Sequence, residues 1–267
     1  VRSRGLGDVY KRQEMNYIQN FEYHNLWNKY NVCWHQIHED VNILVGINGK
    51  GKTTLLDAIN AYYNFKPGKN NAKWIEATPL DCPVVYIQSA DVPANVRKKG
   101  NSILYDNLMR VVLQNEKQNS FFNYRMRALN YPEEASHIAS RIDMLFQEID
   151  GYFGQTGKRI EIDKERNYLV FREDAGGTIE LDMLSAGEKQ LLYILLTVFL
   201  MDEQPAVLLM DEPESSLHIE WQEKLIKSIR KLNPLCQIIL TTHSPSIFVS
   251  GWESKLVYIE DLFSKME

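Results

Sequence analysis

The eight residues Gly46-Ile47-Asn48-Gly49-Lys50-Gly51-Lys52-Thr53 constrain this chain more than any others. They follow Val41 to Val45, an almost continuously apolar stretch of the kind that a strand buried on both faces requires. They precede Leu55, Leu56, Ile59 and Tyr62, which recur at helical spacing up to a breaker at Pro67-Gly68. A strand, a glycine-rich turn and a helix in that order make a loop whose backbone N–H groups converge, because glycine tolerates the tight wrap. The helix start adds the positive end of its dipole at the same point. Such a loop holds phosphate. Lys52 is expected to reach the β- and γ-phosphates of a nucleotide, and the Thr53 hydroxyl to ligate Mg²⁺. Gly46, Asn48, Gly49, Lys50, Gly51, Lys52, Thr53 and Thr54 form the expected nucleotide-binding set.

A second segment, Ala206-Val207-Leu208-Leu209-Met210-Asp211-Glu212-Pro213, is an apolar strand that ends in acid. Its composition demands burial, which puts Asp211 beside the phosphate loop, where it can hold the metal or its waters. Glu212 would then sit where a water could attack the γ-phosphate, as general base or water positioner. Two more pieces complete the pattern. Leu184-Ser185-Ala186-Gly187-Glu188-Lys189-Gln190 opens the longest apolar run, Leu191 to Met201, and Thr241-Thr242-His243-Ser244 follows another buried strand, Ile238 to Leu240. Ser185 with Glu188 three residues on is a capping box, which explains the serine structurally. It does not explain a histidine closing the next strand. The order of the four pieces makes His243 a candidate γ-phosphate contact.

Elsewhere, strands are expected at Tyr17 to Phe21, Val84 to Ile87 and Leu256 to Ile259, the last ending the chain. Helical periodicity over residues 91–155, with Ile142, Leu145, Phe146 and Ile149 on one face and Gly151 and Gly154 closing it, predicts a mainly helical insertion. Ile160 to Ile162, Tyr168 to Phe171 and the Ile179/Leu181 stretch alternate like a small antiparallel unit. Strands alternating with helices predict an α/β fold with a mainly parallel central sheet. Residues 1–14 show no periodicity and are expected to be a non-native leader, with the ATPase domain over 15–267.

Composition narrows the setting. A net charge of −5 gives no bulk attraction to nucleic acid, although Arg97-Lys98-Lys99 could touch phosphates and more simply reads as a solvated loop. Cys33, Cys82 and Cys236 are odd in number and form no C-x-x-C pair, which fits a reducing compartment. An eleven-residue apolar run is too short to span a bilayer.

In these motifs the sequence resembles an ABC-type ATPase head of the SMC/RecF-like and OLD-like AAA group, a P-loop NTPase fold. The loop, signature, acidic strand and histidine switch occur in family order from Gly46 to His243. The resemblance implies that Lys52, Glu212 and His243 serve catalysis. It implies that Ser185 and Gly187, with Glu188 beside them, meet the ATP of a second copy. Glu214 to His218 would cross the dimer seam. Gln88 would join Thr53 and Asp211 around the metal. Ala186, where transporters usually carry glycine, and Glu188-Lys189 after Gly187 resemble the SMC-like variants. Trp27 and Tyr30 are weak candidates for stacking on adenine and read better as core residues.

The resemblance therefore implies ATP and Mg²⁺ as ligands, a head-to-head homodimer through ATP, and a cytoplasmic location with no membrane partner. No D-x-D of a Toprim nuclease occurs, so an effector or nuclease subunit encoded nearby is the expected partner, in bacterial DNA repair or anti-phage defence, with DNA left open. An ABC transporter nucleotide-binding subunit and an ATP-bound DNA-binding scaffold are the alternatives.

Overall fold

A computed structural model describes residues 15–27, 29–65, 74–89, 102–113 and 119–265. The expected leader 1–14, the Pro67-Gly68 breaker, the cluster Arg97-Lys98-Lys99 and the start of the expected insertion lie outside these residues. In chain order the elements are β1 (Phe21–Leu26), β2 (Tyr30–Trp34), β3 (Val41–Val45), α1 (Lys52–Asn64), β4 (Ile75–Ala77) and β5 (Val84–Ile87). Three helices follow, α2 (Ile103–Val112), α3 (Phe121–Asn130) and α4 (Ala135–Phe153). Then come β6 (Lys158–Asp163), β7 (Tyr168–Glu173), β8 (Thr178–Ile179), α5 (Ala186–Phe199), β9 (Ala206–Asp211), α6 (Ile219–Leu232) and β10 (Cys236–Thr241). The chain closes through β11 (Leu256–Tyr258), α7 (Ile259–Leu262) and β12 (Phe263–Lys265).

Apolar residues on both faces of β3, β9 and β10 force these strands inside, and they form a parallel sheet of five strands in the order β11-β3-β10-β9-β5. Alternate residues feed two separate cores. Val41, Ile43, Leu208, Met210, Ile238 and Leu240 face one side, where α2 to α6 and the β6-β7-β8 sheet pack. Leu44, Val207, Leu209 and Ile239 face the other, against α1 and the antiparallel sheet β12-β2-β1-β4.

Several expectations need correcting. Residues 17–20 are not a strand. The side-chain amide of Gln237 accepts from the Ile18 N–H (2.8 Å) and donates to the Ile18 carbonyl (2.9 Å), so a side chain takes the place of a ladder neighbour. β11 does not end the chain either, since β12 follows and pairs with β2. Gly151 lies within α4, whereas Gly154 caps its end as expected, and the left-handed residue that turns the chain is Gly157 (φ 67°). Leu181 is buried in a short turn after β8 rather than in the strand.

The helical layer is anchored by Arg141 of α4, whose side chain is buried. Its guanidinium donates to the carbonyls of Leu232 (2.7 Å) and Phe199 (3.1 Å) and pairs with Glu203 (2.9 Å). It thereby joins α4 to the ends of α5 and α6. Asp202 and Glu203 occupy left-handed conformations (φ 53° and 56°) in the turn between α5 and β9, and Asp202 is held by Arg127 (2.8 Å) and Tyr124 (2.9 Å). Arg141→Met removes a charge-assisted network and takes a hydrogen bond from the Leu232 and Phe199 carbonyls, the latter keeping the Asp202 N–H (3.1 Å). A loss of about 3 kcal/mol is expected, read as a melting temperature lower by roughly 6–12 °C.

Candidate functional site

The parallel strand order sets the site. β10 lies between β3 and β9, with Thr241 opposite both Leu44 and Asp211, so the segments following all three strands emerge side by side. In open α/β sheets, ligands bind at this carboxyl edge. Ile87 of β5 is opposite Met210, which brings Gln88, exposed, to the same edge beside Asp211.

The loop after β3 has left-handed glycines at Gly49 (φ 77°) and Gly51 (φ 95°), a backbone that side-chain-bearing residues seldom adopt. α1 begins at Lys52, which is 5% exposed. Its Nζ donates to the Gly46 carbonyl at 2.9 Å, so the ammonium is folded across the mouth of its own loop. Burial pushes Lys52 below the usual lysine range, opposed by the carboxylates of Glu212, Glu260, Asp211 and Glu214. The Ile47 N–H donates to Glu260 of α7 (3.3 Å). Trp27 presses on this loop from outside. A Cβ on Gly51 would stand 2.8 Å from its ring. Trp27 is 52% exposed and stacks on Phe263 with ring centres 6.2 Å apart, so it is not the core residue expected from sequence.

Asp211 is buried and accepts from Thr53 Oγ1 at 3.0 and 3.1 Å and from Thr241 Oγ1 at 2.7 Å. A carboxylate and a hydroxyl in contact are hard oxygen donors that fit Mg²⁺, which takes one or two protein ligands and completes its shell with phosphate and water. Thr53 and Asp211 would hold that ion, and the backbone of Gln88 lies at the same edge of the sheet. Held there, Mg²⁺ would supply positive charge against the phosphates.

Glu212 follows in a left-handed conformation (φ 45°), uncommon for a residue with a side chain and a mark of imposed geometry. Its N–H donates to Thr241 Oγ1 (3.0 Å), so one threonine hydroxyl fixes both acids. The kink leaves the Glu212 carboxylate half-exposed, with His243 Nε2 at 3.3 Å from Oε1. His243 is placed from behind by Glu214. This buried carboxylate accepts from the His243 N–H (3.0 Å) and from Thr242 Oγ1 (2.5 Å), while burial pushes its own pKa upward. Glu214 Oε2 is buried without a partner among the described residues.

The signature segment forms a complete capping box. Glu188 N–H donates to Ser185 Oγ (3.2 Å) and Ser185 N–H to Glu188 Oε2 (2.8 Å). Glu188 is buried and also pairs with Lys158 at 2.6 Å, so its two oxygens are engaged within the protein rather than turned outward. Burial alone would raise the Glu188 carboxyl, but the Lys158 ammonium and the Ser185 bonds hold it below the usual range. Gly187 has a role that its sequence context does not suggest. Any Cβ there would overlap the Ser216 carbonyl oxygen, so the first turn of α5 sits directly on the backbone that follows Glu212. Thr241 and Lys158 are supporting residues that sequence reasoning left without roles, and Glu214, expected at the dimer seam, is instead buried against Thr242 and His243. Glu214 and Thr241 lie inside quoted motifs, whereas nothing in the sequence marks Lys158.

Fold and site together define a P-loop NTPase of the ABC- and SMC-head class. Residues 94–250 match the family described as "AAA domain, putative AbiEii toxin, Type IV TA system", and the chain belongs to that family. The chain is 23% identical to Septu protein PtuA of Bacillus thuringiensis, over 82% of its own length and 70% of the relative's. It is 28% identical to methionine import ATP-binding protein MetN 2 of Salmonella paratyphi A, over 82% of this chain but only 54% of that one. Among solved structures, an SMC head bound to the C-winged helix domain of ScpA superposes with a TM-score of 0.53 at 13% identity, covering 88% of this chain and 91% of that one. Stu0660 of Streptococcus thermophilus gives 0.53 at 12% identity, covering 93% and 76%. At these identities the likeness is one of fold. Among the described residues, no helix is long and apolar enough to cross a membrane.

Family membership carries nucleotide binding with it, and Lys52 is the ammonium that would meet the phosphates. Lys52→Ala is expected to abolish binding in a titration with fluorescent ATP. Unchanged affinity would remove the loop from that role.

Proposed function

We propose that this chain binds ATP and Mg²⁺ at the Gly46–Thr54 loop, hydrolyses the γ-phosphate bond, and uses the cycle to join and release two copies head to head. The observation that carries the reading is the Asp211–Glu212 pair. One carboxylate is buried on the Thr53 hydroxyl, and the next is turned outward toward His243 by a left-handed kink. Lys52 draws charge from the phosphates as the bond to the leaving group lengthens. Glu212 accepts a proton from the attacking water, which is general-base catalysis. His243 orients the Glu212 carboxylate and would contact the same phosphate. Ser185 and Gly187 of the opposite copy would close the site, because a helix start with free N–H groups suits an anion.

The partner and setting are drawn from relatives. The toxin–antitoxin wording of the family and the Septu relative support a switch acting on a partner effector, a nuclease by class, in bacterial anti-phage defence or DNA repair. The likeness to MetN 2, whose name gives an import ATP-binding role, favours a transporter nucleotide-binding subunit as the second reading. Its signature argues the other way, since Ala186 and the buried Glu188 depart from the transporter form.

Glu212→Gln is the deciding variant. The amide keeps the shape but cannot take the water's proton. ATP binding should persist while turnover falls by roughly a hundredfold to ten-thousandfold, and the ATP-loaded variant should elute as a dimer on size exclusion. Undiminished turnover would strip Glu212 of its role, and a monomer in saturating ATP would remove the dimer.

Pull-down from the native host separates the two settings. Recovery of a soluble effector with the Glu212→Gln dimer is the expected result, and recovery of a membrane permease would favour the transporter reading.

A further inference from the structure

Glu188 puts a carboxylate in the first turn of α5, one residue beyond Gly187. An acid there suits the helix dipole. It does not suit the function proposed above, in which this helix end receives the triphosphate of a second copy's ATP. Like charges brought together in a partly desolvated seam repel strongly. The charge is offset from outside the motif. Lys158, the first residue of β6, places Nζ 2.6 Å from Glu188 Oε1, and the two side chains are 18% and 6% exposed. The lysine next in sequence is turned elsewhere, with Lys189 Nζ donating to the Asp182 carbonyl at 2.7 Å. Lys158 is itself held firmly. Its strand is fixed to α4 by the Ile160 N–H donating to Asp150 (2.8 Å), and β7 is fixed by Phe171 stacked on Phe153 with ring centres 4.5 Å apart.

The geometry of the capping box extends the effect to Ser185. Glu188 Oε2 accepts from the Ser185 N–H (2.8 Å), and the Ser185 hydroxyl oxygen accepts from the Glu188 N–H (3.2 Å), which leaves the hydroxyl proton to donate outward. We propose that Lys158 is a positioning residue for nucleotide-driven dimerisation: it neutralises Glu188 and, through Glu188, holds Ser185 ready to donate to the partner copy's γ-phosphate. This inference rests on the head-to-head dimer and assigns the β6–β7 hairpin a part in it. The hairpin supplies the cation that makes an acidic signature compatible with ATP.

The test uses the full chain carrying Glu212→Gln as parent, with ATP and Mg²⁺ as the probe. Fluorescent-ATP titration reads the copy's own loop, and sedimentation velocity reads the dimer. Adding Lys158→Met should leave ATP affinity within about twofold and weaken dimerisation by about tenfold or more, as unpairing a buried charge does. Adding Glu188→Gln to Lys158→Met should restore dimerisation to within about threefold, because a neutral amide needs no cation and still accepts the Ser185 N–H. A merely structural lysine would show no such rescue. Parental dimerisation by Lys158→Met, loss of its ATP binding, or failure of Glu188→Gln to rescue would each overturn the role of Lys158 while leaving the dimer standing. A parent that stays monomeric in ATP would remove the dimer itself, and this inference with it.

Discussion

The carboxylate of Asp211 ties together parts of the chain that are far apart in sequence. It receives hydrogen bonds from Thr53, at the start of the helix after the glycine loop, and from Thr241, at the end of β10. A buried carboxylate without donors would be costly. The two threonine hydroxyls satisfy this one, and in doing so they fix the distance between the loop, the acidic strand and the switch strand. The same hydroxyl of Thr241 receives the N–H of Glu212 and so sets the direction in which the next acid points. Much of the site follows from that arrangement.

What makes the arrangement sturdy is that the sheet beneath it is buried on both faces. β3, β9 and β10 divide their side chains between two cores, so a slip of one residue in any strand would exchange the two sets. The strands are thus locked in register by packing on two sides, and the groups at their carboxyl ends inherit that precision. The layer of α2 to α6 is bound to the same strands through Arg141 and through the turn that carries Asp202 and Glu203, immediately before β9. The helical layer and the acidic strand are mechanically adjacent.

The central sheet and the chemistry-bearing segments were legible in the sequence because their physics is local. A loop that wraps phosphate needs glycines and a lysine in fixed order, and a doubly buried strand needs an unbroken apolar run. The antiparallel sheet β12-β2-β1-β4 was mostly missed, since its short strands mix aromatic and polar residues and draw on both ends of the chain. Trp27 reads as core in the sequence for a related reason: an aromatic residue looks the same there whether it is buried or laid on the outside of a distant glycine loop. The pairing of Lys158 with Glu188 spans 30 positions, and no periodicity announces an ion pair between a hairpin and a helix end. The Gln237 amide that stands in for a strand beside Ile18 is equally silent.

Gly187 touches Ser216 backbone to backbone, and this has a consequence for how the molecule can yield. Where side chains separate two segments, a small displacement of one is absorbed by rotamer changes. Here nothing lies between the first turn of α5 and the carbonyl four residues beyond Glu212. The contact has almost no compliance in compression, because close-packed atoms resist approach steeply. A push on the helix end is handed to the loop in full, while a pull is not, since no bond joins them. The joint is therefore one-way, and strain entering from the side of α5 arrives near the outward-turned acid without being dissipated along the route.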